Sequence, residues 1–311
     1  MARANAAYYA SRDPFADFTT SPEITQVFGE LLGLWAAVTW RSMGLPAVVL
    51  VEAGPGRGTL MADALRAIGQ AAPDFRAALT VHLIETSPRL RDLQRWLLPD
   101  AVWHDSLETV PDRPMILLAN EFFDALPIRQ FVRRGGGWME RYVGPNGFVE
   151  VSARLDLDAE EGAVVERCDA GEAFARFVGY RLRRCSGAAL ILDYGPEVSG
   201  FGDSLQAISD GGPVDPLREP GTADLTAHVD FARLGAASGV TVHGPVAQGL
   251  FLARLGLFQR TNQLARGLKP REAMLVMEGA RRLGEPERMG RLFKAMSLMP
   301  PGAGAVAGFE G

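Results

Sequence analysis

The chain has 311 residues, enough for one large domain with an insertion or for two small ones, and enough to bury a sizeable core. Hydrophobic residues make up 47% and charged residues 22%, ordinary for a globular protein in water, and a net charge of −5 excludes a nucleic-acid binder that works by global electrostatics. Cys168 and Cys185 fit no zinc spacing, and His82, His104, His228 and His243 are scattered, so no metal site is expected. Met1 to Tyr9 has no apolar secretory core, and the longest apolar run, Leu31 to Trp40, is too short for a bilayer. A cytoplasmic protein without an integral membrane segment is therefore expected.

The first clear element starts at Ser21-Pro22-Glu23, where serine suits an N-cap, proline the first helical position and glutamate the first turn. Ile24, Val27, Phe28, Leu31, Leu34, Trp35 and Val38 keep helical spacing until Gly44 and Pro46 end the helix. Ala47 to Glu52 predicts a buried strand, and a glycine-rich turn leads to a helix over Leu60–Ile68. Thr80–Ile84 predicts a strand, Pro88–Leu98 a helix and Met115–Ala119 a strand. Such alternation implies a parallel sheet with helices on both faces. Gln130–Arg134, Trp138–Val143 and Phe148–Ala153 then predict an inserted antiparallel meander, with glycine-rich turns between them. Glu172–Arg184 predicts a helix, Ala188–Asp193 a core strand and Gly195–Pro220 a long loop. Pro270–Leu283 and Pro286–Met299 predict two closing helices.

The most informative stretch is Val48 to Leu60, a strand, a glycine turn and a helix with glycines at 54, 56 and 58. The dinucleotide fingerprint G-x-G-x-x-G delivers a pyrophosphate to a helix N-terminus. Here the spacing is G-x-G-x-G, Thr59 takes the place of the third glycine, and Glu52 stands two residues before the first. That suits a nucleoside bearing a cationic amino-acid tail, because an ammonium wants a carboxylate and carbonyls. A tight turn without a ligand has the same look, so the following strands decide. Glu85 ends the second strand, where an acid can accept both ribose hydroxyls. Otherwise it is a helix-capping or surface acid. Asp105, at the end of the third strand, is placed for an adenine amino group or is an ordinary loop residue. The fourth strand ends in Asn120-Glu121-Phe122-Phe123-Asp124-Ala125-Leu126-Pro127, whose acids, amide and aromatics predict an active-site wall. The alternative makes the aromatics core and Asp124 a cap. Asp224, Thr226, His228 and Asp230 alternate, so an extended segment would point them to one side. A helix starting near Thr226, capped by His228, is the competing reading.

Thr19 to Glu23, Glu52 to Leu60, Asn120 to Pro127, Ala223 to Phe231 and Met289 to Lys294 together resemble the MidA family, from about Tyr8 to the C-terminus. That is the class I methyltransferase family of the mitochondrial complex I assembly factor. The resemblance implies a Rossmann-like α/β class I methyltransferase sheet with an inserted, partly antiparallel substrate-side subdomain. It also implies S-adenosyl-L-methionine as cofactor and methylation of a protein arginine on a respiratory NADH dehydrogenase subunit.

The expected division is 1–127 for the N-terminal segment and cofactor-binding half, 128–187 for the insertion, and 188–311 for the remaining sheet and closing helices. Glu52, Gly54, Gly56, Gly58, Glu85, Asp105 and Asn120 are the expected cofactor residues. Glu121, Asp124 and His228 are the expected catalytic residues, and Phe122, Asp224 and Asp230 the acceptor-binding ones. Paired carboxylates suit a guanidinium, which stays protonated and offers a planar fork of donors. The expected partner is a protein substrate, with no nucleic acid and with room for a homodimer. Two other functions remain open: methylation of a small-molecule hydroxyl or amine with His228 as base, and a non-catalytic assembly factor that only binds a partner.

Overall fold

A computed structural model of the chain describes residues 1–11, 19–44, 47–304 and 306–310. Pro46, one of the two expected helix terminators, lies outside the described residues; the other, Gly44, closes the helix in the left-handed region (φ 63°). In chain order the strands are β1 (Val48–Ala53), β2 (Leu79–Ile84), β3 (Val102–His104), β4 (Met115–Asn120), β5 (Arg129–Arg134), β6 (Gly137–Gly144), β7 (Gly147–Ala153) and β8 (Val164–Arg167). They continue with β9 (Gly187–Tyr194), β10 (Gln206–Ser209), β11 (Gly212–Val214), β12 (Asp224–Thr226), β13 (Thr241–Ala247) and β14 (Phe293–Met299).

Seven strands form the central sheet in the order β13-β14-β9-β4-β1-β2-β3. β3, β2, β1, β4 and β9 run parallel, whereas β14 is antiparallel to both neighbours. All six residues of β1 and of β4 are buried, as expected of strands covered on both faces. One face packs on Val27, Phe28, Leu32 and Trp35 of the helix Gln26–Met43 and on Leu60 and Ile68 of the helix Thr59–Ala71. The other packs on Ala175, Val178 and Leu182 of the helix Asp169–Cys185 and on Phe231 and Leu234. β5 to β8 form a four-stranded antiparallel sheet in the order β7-β6-β5-β8, which contains the expected meander. No helix among the described residues is long and apolar enough to cross a membrane.

Three expectations are corrected. Ser21 is not the N-cap of a continuous helix: Ser21–Ile24 is one turn, and Thr25, extended at φ −160° and ψ 138°, interrupts it. The Thr25 hydroxyl accepts the N–H of Val27 (3.4 Å) and so caps the long helix. Ser21 has its own N–H committed to the Glu121 carboxylate (2.8 Å), which pins the first turn separately. The loop Gly195–Pro220 contains β10 and β11, a hairpin turning through Asp210 and Gly211 (φ 52° and 73°), and β12 completes its three-stranded sheet. Pro286–Met299 is not a helix. A single turn over Pro286–Gly290 leads into β14, whose seven residues are all buried between β9 and β13. A strand buried on both faces shows no two-residue alternation, so its apolar run reads equally as helix.

At the β2–β3 edge, His82 Nδ1 and His104 Nε2 share a hydrogen bond at 2.9 Å, with the hydroxyls of Thr80 and Thr109 on the outer nitrogens. Burial and then the facing His104 hold His82 at about 4, and burial and then Arg91 also lower His104. Both values lie below the ordinary one, so this pair's contribution is complete above about pH 6.5 and is lost as pH falls toward the folded values. Urea melts between about pH 6.5 and about 4.5 are expected to show wild type losing on the order of 1 kcal/mol more than His82→Gln. Equal losses would rule out the pair as a source of acid sensitivity.

Candidate active site

The chain leaves β1 for β2 and β3 on one side and returns as β4 on the other. The crevice beyond the carboxyl ends of β1 and β4 is therefore a topological switch point, where open α/β sheets bind ligands. A cavity of about 560 Å³ lies there, lined by Glu52 in β1 and Gly54 and Gly56 after it, Glu85 after β2, Asn120 at the end of β4, and Glu121 and Phe122 after it. The helix Ala2–Ser11 closes one side with Asn5 and Tyr9, and the Thr20–Glu23 turn contributes Glu23.

Glu52 is 2% exposed; the Met61 N–H bonds its carboxylate, and Oε2 has no partner among the described residues. Burial pushes its carboxyl up to about 8. The turn after it places Gly54 at φ 65°, and a Cβ there would lie 2.9 Å from Cδ2 of Phe122. Glu85 accepts the N–H of Ser87 (2.7 Å) and, more weakly, the amide of Gln94 (3.4 Å). Burial raises its pKa. Gln94 also donates to the Gly56 carbonyl (2.7 Å), so one amide ties the glycine turn to the second strand end. Thr59, in the place of the third glycine, gives its hydroxyl to Glu23 (2.6 Å).

Glu121 stands in the left-handed region at φ 49°, which costs a non-glycine residue roughly 1–2 kcal/mol. Its N–H donates to the Leu192 carbonyl (2.9 Å), and its Oε1 accepts from Ser21 (2.8 Å) and from the Asn120 amide (3.1 Å). Burial raises its pKa. Asn120 Oδ1 is buried without a partner among the described residues.

The other expected residues are scattered. Gly58 is not in the cavity lining; it flanks the helix Thr59–Ala71 at φ 86°. Asp105 is exposed, bound to Arg91 (2.7 Å), and outside the lining. Asp124 is buried behind the wall, its pKa raised by burial and then by Asp193. Phe122 faces the cavity, whereas Phe123 belongs to the core. Asp224 is buried and accepts the Tyr9 hydroxyl (2.7 Å). His228 is exposed, packs edge-on to Tyr194 (5.6 Å), and lines a second cavity of about 230 Å³ with Asp230. Asp230, not His228, caps a helix, accepting the Arg233 N–H (3.0 Å) ahead of Phe231–Ser238. The alternating row is thus split: His228 and Asp230 line the second cavity, while Asp224 and Thr226 are buried and line neither. Tyr9 and Glu23, which line the cavity, and Gln94, buried behind its glycine turn, are residues that pattern reasoning missed; Thr19–Glu23 stood out only through the family resemblance.

Residues 31–246 match the sequence profile of the family described as "Putative S-adenosyl-L-methionine-dependent methyltransferase". The chain belongs to that family. It is 37% identical to the mitochondrial protein arginine methyltransferase NDUFAF7 homologue of Drosophila melanogaster, over 95% of this chain and 78% of that one. Its identity to mitochondrial protein arginine methyltransferase NDUFAF7 of Mus musculus is 34%, over 94% and 77%. A crystal structure from Burkholderia thailandensis bound to S-adenosyl-homocysteine superposes with a TM-score of 0.77 at 26% identity, over 94% and 81%. The MidA resemblance and the Rossmann-like methyltransferase sheet are therefore correct, and this chain is an S-adenosylmethionine-dependent methyltransferase. The expectation of a cytoplasmic protein is corrected, because the curated relatives are named as mitochondrial. Composition cannot separate one aqueous compartment from another, since both demand the same polar surface.

The cavity fits that cofactor. A buried carboxylate oxygen and a buried amide oxygen, both without partners among the described residues, suit N–H donors and positive charge, and Gly54 leaves open the space a Cβ would take up. Because the folded pKa of Glu52 exceeds its unfolded value, its burial costs stability increasingly as pH rises from about 4.5 to about 8. The apo form of Glu52→Gln is accordingly expected to be more stable than wild type by on the order of 2 kcal/mol near pH 9, with little difference near pH 5. Denaturant melts at the two pH values check this, and a gap that does not grow with pH contradicts it. Gly54→Val is expected to abolish cofactor binding in calorimetry while circular dichroism stays near wild type, since its Cβ meets Phe122 in the cavity wall. Wild-type affinity in that variant would remove the turn from the cofactor site.

Proposed function

We propose that this methyltransferase modifies an arginine of a protein, and that the protein is a subunit of respiratory NADH dehydrogenase. The observation that carries the first part is the surplus of carboxylates in one cavity: Glu23, Glu52, Glu85 and Glu121 all line it. S-adenosylmethionine supplies an electrophilic methyl group on a sulfonium when bound. Glu52 then offers its unpartnered oxygen to the ammonium of the amino-acid tail, Glu85 receives the ribose hydroxyls, and the glycine turn lets the ligand approach the backbone. Asn120 adds an acceptor. Glu121 is left for a second cation. The names of the curated relatives and the MidA resemblance support arginine as that cation and the respiratory complex as its source.

Glu121 holds the guanidinium by charge-assisted hydrogen bonds and draws its positive charge toward the nitrogens it grips, leaving electron density on the nitrogen to be methylated. That nitrogen must face the methyl carbon in line with sulfur, and holding it there is worth several kcal/mol. Burial raises the Glu121 pKa, which suits it to take the proton that the methylated nitrogen gives up. A small-molecule acceptor deprotonated by His228 has less support, because that ring is exposed and lines the second cavity, of which Glu121 is not part.

Glu121→Gln keeps the shape of the side chain and removes its charge. Cofactor affinity is expected to stay within about threefold of wild type while turnover of an arginine substrate falls about 10²–10³-fold, as for a lost transition-state contact. The assay uses labelled cofactor with matched arginine and lysine versions of the candidate subunit. Equal labelling of both would defeat the arginine assignment.

A further inference from the structure

Asp193, in β9, has a carboxylate that no motif singled out and that does not line the cofactor cavity. It has no exposed surface. Its Oδ2 accepts three consecutive backbone N–H groups, those of Phe122 (3.2 Å), Phe123 (2.9 Å) and Asp124 (3.3 Å). Its Oδ1 accepts the N–H of Tyr194 (2.9 Å). Successive N–H groups converging on one point form an anion nest, and here the anion is a side chain of the same protein. The segment so gathered follows Glu121 directly and carries Phe122 into the cavity, Phe123 into the core and Asp124 behind the wall. Without that anchor the three N–H groups would need other acceptors, and Glu121 would lose what opposes its left-handed backbone.

We propose that Asp193 is a positioning residue for methyl transfer: its carboxylate gathers the three N–H groups and so holds Glu121 toward the acceptor. The proposal rests on Glu121 being the carboxylate that holds the acceptor. The groups around Asp193 are mostly acidic. Asp124 faces it from the gathered segment and Glu121 from just before it, Asp224 lies beyond Asp124, and Cys168 feels its charge. Tyr194 follows it, and Lys294, its register partner on β14, donates instead to the Arg291 carbonyl. Burial pushes Asp193 up to about 7 and raises Asp124 as well. Of the two, Asp193 has four N–H donors while Asp124 Oδ1 has none among the described residues, so Asp193 keeps the negative charge and Asp124 the proton. The cradle is complete when Asp193 is ionised and loosens as pH falls.

Asp193→Asn tests this, because its amide keeps the size but turns an N–H toward N–H groups. Hydrogen exchange of the Phe122–Asp124 amides is expected to quicken about tenfold or more. Calorimetry with S-adenosylmethionine alone is expected to give an affinity within about threefold of wild type, while turnover falls at least about tenfold and loses its acid limb near pH 7. Unchanged exchange, or faster exchange with unchanged turnover and pH profile, overturns the proposal. If wild type labels lysine rather than arginine, the acceptor assignment fails, and the same two measurements on the lysine substrate still judge Asp193. If the variant does not fold, exchange in wild type decides: protection of these three amides that does not weaken below about pH 7, after correction for intrinsic rates, overturns the proposal.

Discussion

Carboxylates crowd the carboxyl ends of the parallel strands, and most of the site follows from how each is kept tolerable away from water. Like charges in a low-dielectric site cannot all ionise unless hydrogen bonds or cations compensate them. Glu85 has the Ser87 N–H and Gln94, Glu121 has Ser21 and Asn120, and Asp193 has four backbone donors. Among the described residues Glu52 has only the Met61 N–H, and burial pushes its carboxyl up to about 8. The strand ends are therefore compensated unevenly, and the least compensated oxygen opens where the glycine turn leaves room. A ligand carrying positive charge relieves that imbalance, which is why a cofactor with an ammonium and a sulfonium suits this crevice better than one with a pyrophosphate.

The same need shapes the N-terminal region. Asn5 donates to the carbonyls of Ala125 (3.0 Å) and Leu225 (2.8 Å) and accepts the Leu225 N–H (3.1 Å). Tyr9 gives its hydroxyl to Asp224 and takes that of Ser87 (3.0 Å) on its carbonyl. The helix Ala2–Ser11 is thus fastened to the segment after β4, to β12 and to the turn after β2, and forms a wall of the cavity rather than a loose extension. The interruption at Thr25 belongs to the same arrangement. As the first residue of its turn, Ser21 keeps an N–H outside the intrahelical ladder and gives it to Glu121, and the long core helix starts afresh at Thr25.

Much of this was legible because local pattern and tertiary role agree. β1 is apolar apart from Glu52 because it is covered on both faces, and its glycine turn and Glu52 stand at the strand end where the pattern placed them. β14 was misread for the same physical reason: coverage on both faces erases the alternation that marks a strand, and Met296, Leu298 and Met299 suit either state. Asp193 was visible only as the last residue of a predicted strand, since its function lies in accepting N–H groups some 70 positions earlier. Asp105 shows the converse. It stands in the right order along the chain, but the third strand is short and lies at the sheet edge, so its side chain reaches Arg91 and solvent.

The wall after β4 also explains why the acids of the 224–230 segment do not form one set. Asp224 to Thr226 are a strand, but the Ala227 N–H then binds the Asp124 carbonyl (3.0 Å) and the Val229 N–H binds the Tyr194 carbonyl (2.9 Å). These two bonds take the chain across the back of the wall that Asp193 anchors. Asp224 therefore stays near Tyr9 on the cofactor side, while His228 and Asp230 emerge beside Phe123 in the second cavity. Phe122 and Phe123, adjacent in sequence, mark the two sides of that partition. Any acceptor that Glu121 holds must enter through the first cavity, between the N-terminal helix and the Thr20–Glu23 turn. The side chains that share this cavity with Glu121 include two that pattern reading left out, Tyr9 and Glu23, whereas the histidine that looked like a base lines the other cavity.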